Sequence, residues 1–211
     1  RVFSDLLRIL KELFSGLEKV KSISDDAQRQ KAHVQIFSTY FVLKDMTEDA
    51  LRLMNSCGWD PVNYIGSLKD EDLKPYLSVC DGILREQGAR LYVLQQAIFS
   101  DSCLAFKDYE LQKRLREIIG HKSDRVRTLH GAASGLVINA MLPTCETPED
   151  RIELMLSMSG VDPDAVNAKE IEIEIREFES LLTRYKEYAE QLVEPSNLIK
   201  VIEKARSNAN G

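Results

Sequence analysis

The chain is poor in the residues that interrupt helices. Of its 211 residues only ten are glycine and six are proline, so long unbroken helices are expected. Cysteine is sparse and scattered. Cys57, Cys80, Cys103 and Cys145 form no CxxC pair, and none stands beside a histidine at zinc-finger spacing. That argues against a local zinc site and against the disulfide framework of a small secreted scaffold, and it favours reduced thiols inside a cell. HExxH is absent, and no glutamate precedes any of the three histidines by three residues. This removes the zincin pattern and the paired Glu-x-x-His ligands of a di-iron bundle. GxSxG, GxxxxGK[ST] and GxGxxG are absent too, so neither a serine elbow nor a glycine phosphate loop is supported. No run of 18 apolar residues occurs. The longest approach, "GAASGLVINAML" at 131–142, is too short to span a bilayer and reads as a buried helix. The first residues, "RVFSDLLRILKELF", alternate charge with apolar residues rather than forming a secretory leader. These absences lead to the expectation of a cytoplasmic protein with no membrane span, no metal and no cofactor. The chain opens on Arg1 rather than Met, which leaves an upstream domain open.

What is present is helical period. Phe3, Leu6, Leu7, Leu10, Leu13, Phe14, Leu17 and Val20 step by three and four, one stripe on one helix. Ser24, Asp25 and Asp26 supply capping oxygens and acids for a second helix, expected to reach Cys57 before Gly58 stops it. Residues 58–67, "GWDPVNYIGS", read as a loop. A helix follows over about 69–100, with Pro75 placed in its first turn. The next spans about 106–119 and ends at Gly120. Ser123 or Asp124 then caps another that reaches Leu142. "PTCETPED" from 143 is a loop, Pro148 opens a short helix to Ser159, and "GVDPD" from 160 is a second loop. Ile171, Ile175, Phe178, Leu182, Tyr185, Ala189 and Leu192 then step 4, 3, 4, 3, 4, 3, a heptad seam. "EIEIEI" at 170–175 alternates like a strand, but the residues after it do not, so the helix prevails. Pro195 separates a short closing helix. The expected fold is all-α: an up-and-down bundle of seven or eight helices in a single domain over 1–211, with a sub-division near 143–150 as an alternative.

Charge is uneven. The net charge is −6, which disfavours nucleic acid as a general partner. Yet Lys113, Arg114, Arg116, Lys122, Arg125 and Arg127 crowd into fifteen residues against only Glu117 and Asp124, whereas 145–180 holds eleven acids and three bases. Three uses fit the basic stretch: an anionic ligand, an electrostatic match with the acidic late helix in the same or another chain, or a solvated face.

The same stretch holds Arg116 with His121 and Arg125 with His130, each an arginine five residues before a histidine. That spacing resembles the Rx4–6H motif of the HEPN ribonucleases, which are all-α and act as dimers. The resemblance implies a histidine that moves a proton near neutral pH and an arginine that steadies charge on phosphorus. The family commonly has Asn, Asp or another polar residue after the arginine; here Glu117 and Val126 stand there, neither of them Asn or Asp. Arg116 and His121 straddle Gly120. Arg125 and His130 lie about 140° apart on a helical wheel and so do not share a face. Gly131, Ser134 and Gly135 beside His130 form a small-residue face suited to close packing. His33, next to Ile36 and Phe37, reads as a hydrogen-bonded core histidine rather than a ligand.

Two aromatic features complete the candidates. Trp59 and Tyr64 fall in the 58–67 loop, either tucked over the core or anchoring a partner. Phe178 and Leu182 centre the heptad seam, which serves either an internal contact or a partner helix, with Glu170, Glu177 and Arg184 flanking it. The first functional expectation is a non-enzymatic helical-bundle module for protein–protein interaction or oligomerisation. It would bind a protein partner or a second copy through Trp59, Tyr64, Phe178, Leu182, Lys122, Arg125 and Arg127. The alternatives are a HEPN-like metal-independent ribonuclease using Arg125 and His130, and a helical sensor enclosing a small apolar ligand.

Overall fold

The computed structural model describes residues 4–100, 103–138, 147–159 and 168–210; within these, Val62, 128–138, 155, 156, 158, 159 and 168 are described by their backbone alone. The described residues form an all-α multi-helix bundle without a strand. Eight helices follow in order: α1 Ser4–Gly16, α2 Asp26–Ser56, α3 Pro61–Ser67, α4 Asp70–Phe99, α5 Tyr109–Ile138, α6 Pro148–Ser159, α7 Ala168–Leu192 and α8 Pro195–Ala209. Cys145 and most of the expected 143–150 and 160–164 loops lie outside the described residues.

Helix ends follow local chemistry where it is strong. The Asp25 carboxylate accepts from the Gln28 amide at 2.7 Å and opens α2, satisfying a donor that the helix itself cannot. Gly58 and Trp59 both adopt left-handed φ, at +59° and +67°, and close it. Glycine suits that geometry; Trp59 tolerates it while its indole donates to Asn55 Oδ1 at 3.0 Å and its ring packs on the core edge.

Four boundaries differ from expectation. The first apolar stripe tightens at Leu17 into a 3-10 segment, Leu17–Ser22, rather than staying α-helical to Val20. The 58–67 loop contains α3, because Asp60 caps the Asn63 amide and Pro61 occupies the first helical position. Pro75 lies one turn inside α4 rather than in its first turn, with Asp70, Glu71 and Asp72 occupying the positive end ahead of it. Gly120 does not stop α5. Buried Leu111, Leu115, Ile118, Ile119 and Val126 carry one apolar seam straight past it, and tertiary packing outweighs a single weak helix former.

The main core joins side chains of α1, α2, α4, α5, α7 and α8. Ile65, Leu73 and Leu77 form a satellite cluster under α3 and the start of α4, with Leu154 of α6 packed against it. Two buried carboxylates sit between α2, α4 and α8. Asp45 accepts from Arg90 at 3.1 Å and from Arg206 at 2.8 Å; Asp49 accepts from Arg90 at 2.8 Å, Arg52 at 3.2 Å and Gln87 at 3.3 Å. Each carboxylate is thus paired and hydrogen-bonded, the condition for holding charge at such depth. This network clamps α8 across α2 and α4.

Candidate functional site on α4 and α5

The basic stretch falls on the middle of α5, and α1 packs beside it. Arg114 pairs with Glu12 at 3.0 Å. His121 Nδ1 lies 3.2 Å and Arg125 Nη1 3.5 Å from the same oxygen of Asp5, a buried carboxylate that Arg8 also approaches at 3.9 Å. The acids that answer the basic stretch are therefore Asp5 and Glu12 of α1. The acidic late helix, α7, meets the opposite flank of α1, where Lys11 bonds Glu177 at 2.8 Å. Sequence inspection compared the largest charge blocks and passed over two isolated acids on an apolar helix.

The first arginine–histidine copy does not form a reactive pair. Arg116 lies over the Phe99 ring at 4.6 Å, while His121 faces Asp5. Arg125 also faces Asp5. The side chain of His130 and the face of Gly131, Ser134 and Gly135 lie outside the described residues.

Lys122 is the chemically distinctive member. It follows Ile118 by four residues and precedes Val126 by four, so continuity of α5 through Gly120 places a half-buried lysine one turn from each of these buried residues. Desolvation, helped by the Arg125 charge and opposed by Asp5, pushes its ammonium down to about 8. The sequence carried this signal in the spacing 111, 115, 118, 122, 126, once Gly120 is read as helical.

Beyond Lys122, a groove of about 350 Å³ runs between α4 and α5. Leu84, Leu91 and Val126 give it an apolar floor, and Gly88, whose Cα side approaches Val126, gives it depth. Tyr92 stands on its rim with 62% of its surface exposed. Arg85 and Arg127 flank it. Arg127 lies 3.6 Å from Asp124, both well exposed. Arg85 has no ion pair, hydrogen bond or ring partner among the described residues, unlike the other described arginines. Arg85 and Tyr92 escaped sequence reading because each is an ordinary surface residue until two helices are placed side by side.

The remaining candidates lie elsewhere. Phe178 is fully buried and Leu182 nearly so, with Ile171, Ile175, Tyr185 and Ala189 alongside them. The α7 seam packs on α1 and α2 within the chain, and the Tyr185 hydroxyl meets Thr39 Oγ1 at 2.9 Å. The seam is consumed internally, so the reading of Phe178 and Leu182 as a partner surface is corrected. Its flanking charges are also used inside: Glu177 by Lys11, Arg184 over the Phe14 ring at 5.9 Å. Trp59 is half-buried against the core, and Tyr64 stacks edge-on to Tyr76 at 4.9 Å. The Tyr76 hydroxyl touches both Cys57 and Cys80, whose thiols burial pushes up; these two and Cys103 are free cysteines. Among the described residues no group of acids, histidines and cysteines is arranged to hold a metal ion, and no helix is long and apolar enough to cross a membrane. No protein-family model, curated protein or solved structure matches this chain.

Proposed function

We propose that the chain is a helical interaction module that docks an acidic, amphipathic helix on the groove between α4 and α5. The supporting observation is the combination there of an apolar floor, an exposed tyrosine and an arginine without a partner. Tyrosine and arginine are the side chains that most often anchor protein interfaces, and an unpaired cation gains more from a new carboxylate than one already neutralised. A second copy of the chain offers the complementary surface. On α7, Ile173 is 65% exposed and stands between Glu172 and Glu174, on the side away from the internal seam. Such a contact joins two different faces, so it is heterologous and builds chains or rings rather than a two-fold dimer.

Light scattering across a concentration series at low and high salt tests this. Association should increase with concentration and weaken at high salt. Arg85→Glu should abolish it, and Ile173→Glu should abolish it independently. A chain that stays monomeric at 0.05 M salt and about 0.5 mM protein, well above a weak-interface dissociation constant, would refute the self-docking form. Association that survives both substitutions would refute the assignment to this groove.

A further inference from the structure

A different face of the bundle carries a separate binding site. We propose that the groove between α2 and α8 binds a small organic phosphate, with the phosphate group among Lys31, Lys200 and Lys204 and the polar body extending toward His33 and Asn197.

Two adjoining depressions form this groove, of about 470 Å³ at the lysine end and 360 Å³ at the histidine end. They share Ala27, Gln30 and Val201, and so run into each other. Their size is that of a site for a small organic ligand. Lys200 and Lys204 are one turn apart on α8, and Lys31 faces them from α2. None of these lysines has a carboxylate or ring partner among the described residues. Lys11, Lys19, Lys44 and Lys186 have carboxylate partners, while Lys69, Lys74, Lys107 and Lys113 have none among the described residues either, so it is the gathering of three such lysines around one depression that sets this place apart. An anion placed among three lysine side chains gains from the charge of each. Lysine ammoniums act as adaptable point charges and suit a compact phosphate. Buried Val34 and Val201 form the floor, and Asn208 and Gln30 add hydrogen-bonding groups.

The histidine end supplies the second, independent observation. His33 is only 7% exposed, lines the depression, and has no hydrogen-bond partner among the described residues. Its ring nitrogens are not sealed from solvent, so a ligand hydroxyl entering the depression takes the place of water against them. Burial and then the charge of Arg29 hold its pKa below the usual histidine value, so the ring is neutral near pH 7 and both donates and accepts. His33 is buried on the apolar face of α2, as expected of a core histidine, and makes no hydrogen bond to another described residue. Asp26 and Glu194 also line this end, with Asp26 paired to Arg29. They repel a second anionic group, so the ligand carries phosphate at one end and neutral polar groups at the other.

Calorimetry on the full chain at low salt, with glucose 6-phosphate, adenosine 5′-monophosphate and inorganic phosphate as probes, tests the assignment. At least one organic phosphate should bind tighter than inorganic phosphate. Lys31→Gln and Lys204→Gln should each weaken it tenfold or more, and Lys74→Gln, an exposed lysine outside the groove, should leave it unchanged. The His33 resonances should shift more with the organic phosphate than with inorganic phosphate at equal saturation, because both place the same charge among the lysines and only the organic body reaches the ring. His33→Gln should lose the preference for organic over inorganic phosphate. No heat at millimolar probe, equal weakening by Lys74→Gln, or inorganic phosphate binding as tightly as either organic probe would each overturn the proposal. Binding only to vesicles containing phosphatidylinositol 4-phosphate would also overturn it, in favour of a lipid surface.

Discussion

Replacing Lys122 with methionine should stabilise the protein, and the gain should fade as pH rises. Lys122 is half-buried on α5, one turn from buried Ile118 on one side and buried Val126 on the other. Desolvation and the nearby Arg125 lower its pKa from 10.5 to about 8. A fall of that size corresponds to roughly 3 kcal/mol of penalty on the folded state while the amine is charged. Because the folded pKa lies below the unfolded one, the unfolded chain binds more protons between about pH 8 and 10.5. Wild-type stability therefore carries the full penalty below pH 8 and recovers it as pH rises through that window. Methionine has a similar length and no charge, so the variant never carries the penalty. Urea unfolding at pH 7 should show Lys122→Met more stable than wild type by up to about 3 kcal/mol. At pH 9.5 that advantage should have shrunk by about 2 kcal/mol. Cysteines and tyrosines titrate in both proteins and cancel in the difference. A variant that is less stable at pH 7, or whose advantage does not change with pH, would show that the contacts of the Lys122 amine outweigh its desolvation, and the account of the seam would be wrong.

Glycine positions test the continuity of α5. An added Cβ at Gly120 meets nothing within 4 Å, so Gly120→Ala should raise stability by about 1 kcal/mol through helix propensity, measured by chemical denaturation. At Gly16 the same change would bring Cβ to 2.8 Å from Leu111 Cδ2 and 3.3 Å from Phe106 Cδ1; Gly16→Ala should cost about 1–3 kcal/mol. A stabilising Gly16→Ala would contradict the close approach of α1 to α5. Asp45→Asn removes the charge that holds Arg90 and Arg206 at a site only 5% exposed. With Arg206 still partly solvated, the expected loss is about 2 kcal/mol, together with faster amide exchange confined to α8. Loss of protection spread evenly over the bundle would show that the clamp does not act on α8 in particular.

Much of the local structure was written in the order of residues. The stripe from Leu6 to Leu17, the cap at Asp25, the stop at Gly58, the start at Pro148 and the seam of α7 follow from short-range geometry, and neighbouring residues suffice to set them. The all-α class follows from the same period. The misplaced break at Gly120 has one cause: a residue's intrinsic tendency was weighed alone, whereas a seam of buried side chains several turns long outvotes one unfavourable position.

The uses of the surfaces were decided only by tertiary packing. A heptad seam has the same sequence whether it faces a partner or its own bundle; the placement of α1 and α2 against α7 made Phe178 and Leu182 core. Charge blocks in sequence suggested that α5 and α7 attract each other, but α1 met both flanks, and Asp5 and Glu12 became the partners of the basic stretch. Arg85, Tyr92, Lys31, Lys200 and Lys204 gain meaning only when helices distant in sequence stand side by side. Period and capping are properties of a few consecutive residues, and the sequence by itself determined them. A groove, a neutralised charge or an unpaired one is a relation between residues as far apart in sequence as Lys31 and Lys204, and only the tertiary structure brings such residues within reach of one another.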